Sequence, residues 1–72
     1  MAFYYKECKW FISLDDEYDY YAINEIASSS RYDLSYDPRY NMYYTETEEE
    51  ARKVCEEIVR LADRMREEDE GR

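Results

Sequence analysis

An amphipathic stripe near the C-terminus constrains this chain more than any other feature. Ala51, Val54, Cys55, Ile58, Leu61, Ala62 and Met65 recur at three- and four-residue intervals, which places them on one face of a helix that needs a second layer to cover it. The start is marked too. Thr47 followed three residues later by Glu50 fits a capping box, and Glu48 and Glu49 suit the positive end of the helix dipole, so local structure accounts for these acids. Glu48 with Arg52, Glu49 with Lys53 and Glu56 with Arg60 stand four apart, each pair contributing about 0.3 to 0.5 kcal/mol. The pattern predicts a helix over residues 48–67 lying on one face of an antiparallel sheet.

The sheet is sought upstream. Phe3 to Leu14 reads as one strand, with Tyr4, Cys8, Trp10, Ile12 and Leu14 on one phase and Phe3, Tyr5, Glu7, Lys9 and Phe11 on the other. Asp15, Asp16 and Glu17 break it with turn and cap chemistry. Residues 18–27 fit two descriptions. Tyr18, Tyr21, Ala22 and Ile26 share a helical side, whereas Tyr21 and Ile23 against Tyr20, Ala22 and Ile26 make a return strand; the Tyr and Ile content favours the strand. Beyond Ser28, Ser29 and Ser30, Tyr32, Leu34 and Tyr36 alternate with polar residues, as do Tyr40, Met42 and Tyr44, and Asp37-Pro38-Arg39 supplies the reversal between them. The expected fold is therefore α+β, a small antiparallel sheet of three to four strands packed on one C-terminal helix. It comprises one domain over residues 1–66 and an acidic disordered tail over residues 67–72.

Composition bounds what such a fold can do. At 72 residues the chain buries only about 60% of its unfolded surface, which leaves a thin core and no room for a cofactor fold. Ten Lys and Arg against 19 Asp and Glu give a net charge of −9. Such an imbalance pushes toward disorder, but ten tyrosines, two phenylalanines and one tryptophan push back. No apolar run has the length of a membrane span, and Lys6, Glu7 and Lys9 interrupt any signal-peptide core. The expectation is a soluble cytoplasmic protein that avoids membranes and does not bind nucleic acid directly, since both are anionic. Cys8 and Cys55 fall on apolar phases and are expected as buried free thiols.

The catalytic inventory is poor. There is no histidine, and the one glycine, Gly71, is in no position to build a phosphate-cradling loop. Asp15, Glu17 and Asp19 open like a calcium loop, yet Tyr20 stands where its glycine belongs and Ile26 where its bidentate acid belongs. Neither enzymatic activity nor any cofactor or metal is expected.

What remains is surface. Asp15, Asp16, Glu17 and Asp19 cluster with Tyr18, Tyr20 and Tyr21, while Asp33 and Asp37 flank the second hairpin. Alternate strand residues stand about 7 Å apart, a spacing similar to that of phosphates on one nucleic-acid strand. Acids so arranged can occupy a Lys/Arg groove built for a phosphate backbone, and tyrosines add rigid contact area that stacks on guanidinium groups. Tyr4, Tyr36 and Tyr44 are expected in or near the core. Tyr5, Tyr18, Tyr20 and Tyr43 are the contact candidates.

In size, acidity, missing catalytic groups and this mixture of acids and tyrosines, the chain resembles the small acidic proteins by which bacteriophages disable host defences: anti-CRISPR proteins, restriction inhibitors and other DNA mimics. The resemblance implies a stoichiometric inhibitor in the host cytoplasm. Its partner would be a basic nucleic-acid-binding protein such as a CRISPR effector or nuclease, inhibited by occupation of its channel, by a locked conformation or by a blocked subunit contact. The partner-binding set is Asp15, Asp16, Glu17, Asp19, Tyr18 and Tyr20, then Asp33, Asp37, Tyr5 and Tyr43. The alternative is a structural or regulatory module that forms a homodimer, or docks on a larger assembly, through a sheet face bearing Phe3, Tyr5 and Phe11.

Overall fold

The computed structural model describes residues 1–70. It is an α+β fold with elements in the order β1 (Ala2–Lys6), β2 (Lys9–Ser13), α1 (Glu17–Ser29), β3 (Ser35–Asp37), β4 (Met42–Thr45) and α2 (Glu48–Glu70). The four strands form one antiparallel sheet in the order β1-β2-β4-β3.

The long first strand is in fact a hairpin. Lys6 pairs with Lys9, and Glu7 and Cys8 between them have φ of 53° and 63°, the left-handed pair required by a tight two-residue turn that follows the twist of its strands. Neither residue is Gly or Asn, so the turn lacks its usual sequence signal. The Glu7 carboxylate helps hold it by accepting hydrogen bonds from the Tyr40 hydroxyl and the Arg39 guanidinium, each at 2.8 Å. The turn also resets parity: Phe3 now stands opposite Ile12, and Tyr4 opposite Phe11. Phe3 and Ile12 pack toward the helices. Tyr4 and Phe11 point to the other face of the sheet.

Residues 18–27 are helical, which overturns the return strand. The cause is local. The Asp16 carboxylate caps the helix by accepting from the Asp19 amide at 3.1 Å, and the Asp19 carboxylate reaches back to the Asp15 amide at 3.1 Å, a reciprocal arrangement with the logic of a capping box. Ala22, Ile23 and Ile26 are then buried together against Val54, Ile58 and Ala62 of α2. At the far end Ser28 and Ser29 donate to the Asn24 and Ile26 carbonyls, at 3.0 and 2.7 Å. Ser30 stops the helix in the left-handed conformation.

Helix α2 follows its stripe. The Glu50 amide donates to Thr47 Oγ1 at 3.2 Å, and Arg52 and Lys53 pair with Glu48 and Glu49 at 3.1 and 3.4 Å. Arg60 pairs with Glu57 rather than Glu56. Glu57 is buried and is also bonded by Arg31 at 3.0 Å, so the expected exposed pair is replaced by a three-residue bridge between α2 and the loop that follows α1. The helix continues through Glu70. Residues 67–70 thus belong to the fold instead of to a disordered tail, and residues 71–72 lie outside the described part.

The thiols differ. Cys8 sits exposed at the hairpin tip, contrary to its expected burial, while Cys55 is half-buried against the core and its thiol is pushed by burial up to about 11. Maleimide should accordingly label Cys8 within minutes in the folded protein, and label Cys55 only after denaturation. Mass spectrometry would read one adduct and then two; rapid double labelling of the native chain would contradict this packing.

Candidate partner-binding surfaces

The two helices run antiparallel, because the start of α1 meets the end of α2. Arg66 makes the junction: Nη2 bonds the Asp16 carboxylate at 2.9 Å, Nη1 bonds Asp63 at 2.9 Å, and the guanidinium lies 5.1 Å from the Tyr18 ring centre. The Tyr18 hydroxyl donates to Asp69. That bond, supported by burial, pushes the Tyr18 hydroxyl up to about 12. Asp15 pairs with the N-terminal ammonium and keeps an exposed side chain. Asp15, Asp16 and Glu17 therefore converge with Asp63, Glu67, Glu68, Asp69 and Glu70 on one acidic pole.

The pole works against local preference. Carboxylates in the last turn of a helix face the negative end of its dipole, and α2 has no basic residue there. Part of this cost is offset because the positive end of α1 lies alongside.

The sequence-derived set divides in space. Asp15, Asp16, Glu17 and Tyr18 lie at the pole. Asp19 is buried and spent on capping, and Asp37 is buried between Arg39 at 3.1 Å and Lys9 at 3.5 Å, so neither carboxylate is presented to a partner. Asp33 is exposed in the loop before β3, away from the pole. Tyr20 is exposed on α1, and Tyr5 is exposed beside Trp10, with ring centres 5.1 Å apart. Tyr43 is half-buried against the core, with its hydroxyl donating to Asn24 Oδ1 at 2.9 Å, so it is a packing residue more than a contact residue. Missed from sequence were Asp63 and Glu67 to Glu70. The usable signal was the absence of any helix breaker after Met65.

A second surface covers the sheet face opposite the helices. Phe11 is 0% exposed there although no helix lies over it. Its cover is a lid of rings: Tyr4 at 6.0 Å, Tyr40 at 5.5 Å and Tyr44 at 5.6 Å between centroids. Lys6 and Arg39 sit over Tyr40 at 4.5 and 5.0 Å, and Lys9 sits over Tyr44 at 4.6 Å, each a cation–π contact. Tyr4 and Tyr36, expected in the core, are exposed.

Several carboxyls are tuned by these contacts. Hydrogen bonds from Tyr40 and then Arg39 hold Glu7 below its ordinary value, the Asp19 amide and then Arg66 do so for Asp16, and Arg39 does so for Asp37. For Glu57 burial pulls the other way, yet the bonds from Arg31 and Arg60 prevail and it too is lowered. A lowered folded pKa contributes stability that is complete above the unfolded value and is lost as pH falls through the folded one. With ordinary values of 3.8 for Asp and 4.5 for Glu, the melting temperature should fall progressively below about pH 4.5. A melting temperature that climbs steadily from pH 4.5 to 2.5 would count against these pairs.

Among the described residues no group of His, Cys, Asp and Glu has metal-binding geometry, and no helix is long and apolar enough to cross a membrane. Family models, curated proteins and solved structures yield no match to the chain.

Proposed function

We propose that this protein is a non-catalytic, stoichiometric inhibitor that binds a basic nucleic-acid-binding partner through its acidic pole, in the manner of the phage anti-defence proteins that it resembles in composition. One observation carries the reading: carboxylates from two separate stretches, residues 15–17 and 63–70, are gathered at one end against the α2 dipole. Asp16, Asp63 and Asp69 are partnered by Arg66 and Tyr18, but Glu67, Glu68 and Glu70 form no ion pair among the described residues and face the negative end of the α2 dipole. A rigid helix pair presents these charges without the ordering cost that a disordered acidic tail would incur on binding. A basic channel of a CRISPR effector or nuclease is the kind of surface that would release counterions on meeting it.

The test is competition. The partner captured on the immobilised chain should bind nucleic acid, should release the chain as salt rises from 50 to 500 mM, and should exchange it for duplex DNA or guide RNA. Binding that ignores both salt and nucleic acid overturns the proposal.

The ring lid favours a second reading, in which the chain dimerises or docks through its sheet face. The face differs from the one expected, since Phe3 and Tyr5 stand on the helix side and only Phe11 shares this side with Tyr4, Tyr40 and Tyr44. Tyrosine and arginine are common anchors of interfaces. Sedimentation separates the readings: a dimer that persists in 0.5 M salt and dissociates in Tyr4→Glu supports the second, and a monomer at all salt concentrations excludes homodimerisation.

A further inference from the structure

The outer strands of the sheet, β1 and β3, each leave one edge without a neighbouring strand, and the two edges are built differently. β3 has three residues, ends at Asp37 and runs into Pro38, so shortness, charge and proline all guard it against further pairing. β1 has five residues, Ala2–Lys6, in an uninterrupted ladder with no proline and with one charge, Lys6, at its end. Its edge is unguarded.

The first hairpin fixes which backbone groups on that edge are free. Around a two-residue left-handed turn the flanking pair, Lys6 and Lys9, exchanges both bonds, and bonding then alternates along the ladder. Ala2 and Tyr4 therefore spend their N–H and C=O groups on β2, while those of Phe3 and Tyr5 point away from the sheet. Among the described residues no backbone bond outside the ladder takes them up. The flanks of the edge are apolar. Tyr4 is exposed on the lid side, and Tyr5 is 59% exposed on the helix side. Val59 of α2, which stands by Met1, is 50% exposed and is the one large aliphatic residue exposed in the described chain.

We propose that β1 pairs antiparallel with β1 of a second copy about a two-fold axis at Tyr4, joining two four-stranded sheets into one. Three features select that occupant. The free groups are self-complementary, since Phe3 meets Tyr5 of the other copy and each such pair exchanges both bonds. Side chains match in the same register. Tyr4 faces Tyr4 across the axis, and Lys6 meets Ala2, so no like charges are opposed. On the helix side Phe3 and Tyr5, already 5.9 and 5.1 Å from Trp10 between ring centres, join the aromatic cluster of the other copy. Charge sets the direction. The acidic pole follows Ser13, at the Ala2 end of β1, whereas Lys6 and Lys9 stand at the opposite end. Antiparallel pairing lays each pole beside the lysines of the other copy; parallel pairing would bring the two poles together. With the β3 edges guarded, assembly closes at two copies. The contact uses the edge of the sheet instead of the ring lid, and it does not rest on the function proposed for the pole.

The experiment is amide hydrogen exchange, read by NMR on the whole chain at about 50 µM and about 1 mM, with sedimentation equilibrium on the same samples. The Phe3 and Tyr5 amides should exchange at least tenfold more slowly at the higher concentration, whereas Tyr4 and Lys6, bonded to β2, should be protected at both. Sedimentation at the higher concentration should give twice the chain mass, and still do so in 500 mM salt, where binding through the acidic pole is released; the two proposals therefore fail separately. Tyr5→Pro removes an outward N–H without breaking a bond to β2, so it should keep the circular dichroism spectrum and weaken the dimer at least tenfold. Tyr5→Lys, which sets a charge against Phe3 of the other copy and leaves the lid untouched, serves in the same assay if the proline variant unfolds. A monomer at the higher concentration, a dimer without added protection of Phe3 and Tyr5, or an undiminished dimer in the folded variant would each overturn the proposal.

Discussion

Replacing Phe11 with alanine should destabilise the protein by about 3 to 5 kcal/mol, although no helix covers this residue. A chain of 72 residues has a total stability on the order of 4 to 11 kcal/mol, so the variant should be marginal or unfolded at room temperature. The size of the effect follows from the ring lid. Phe11 is fully buried beneath Tyr4, Tyr40 and Tyr44, and its removal leaves a cavity that three rigid rings cannot fill without losing their own contacts. Urea denaturation followed by far-UV circular dichroism measures the loss, and the near-UV signal of the cluster should vanish with it. A cost below about 1 kcal/mol would be that of an ordinary surface substitution and would show that the lid does not form. Phe11→Leu, which keeps part of the volume, should lie between the two.

Neutralising Glu67, Glu68 and Glu70 to glutamine should change stability and partner binding in opposite directions. Each carboxylate faces the negative end of the α2 dipole, so its removal should raise stability by about 0.3 to 1 kcal/mol at low ionic strength. If the pole meets a basic groove, each lost contact costs about 0.2 to 1 kcal/mol. Together these amount to roughly a 3- to 150-fold weaker complex. Thermal melts and a salt-dependent binding isotherm on the same variant read both changes. A triple variant that is more stable and binds undiminished would remove the pole from the interface. One that is less stable would show that these acids hold the fold. Stability exchanged for charge in this way is typical of functional surfaces.

Helix α2 was the most legible element, because it carries a cap, a stripe and ion pairs that agree with one another. Its end was obscured by Glu67, Glu68, Asp69 and Glu70, whose composition reads as a tail; continuation through Glu70 is supported by Arg66 and Tyr18, whose partners lie 50 and 51 residues away in sequence. The second hairpin was legible from Asp37-Pro38-Arg39, although Tyr32 and Leu34 precede β3 and pack on the core instead of joining the strand. The first hairpin was not legible. Its turn is made of Glu7 and Cys8, which take up left-handed geometry without the residue types that prefer it, and the contacts that hold it come from Arg39 and Tyr40. Missing that turn inverted the parity of residues 3–5 against 10–12, which explains the misplacement of Tyr4 and Phe3. Helix α1 was misread because Tyr and Ile lean toward strand, whereas the reciprocal Asp16–Asp19 cap and the apolar face of α2 decide for helix.

The sequence by itself determined the class of the fold, the amphipathic face of α2, the acidity and the absence of histidine. These are properties of composition and short-range spacing, legible within a few residues. The tertiary structure decided which charges matter. Asp19 and Asp37 are consumed by a cap and by buried pairs, while Asp63 and Glu67 to Glu70 join Asp15, Asp16 and Glu17 at one pole. It also decided that an open sheet face needs no second layer, since Phe11 is covered by three rings brought in from β1, β4 and the turn between β3 and β4. Both outcomes depend on contacts between residues distant along the chain, whose partners follow from how elements pack and not from local preference.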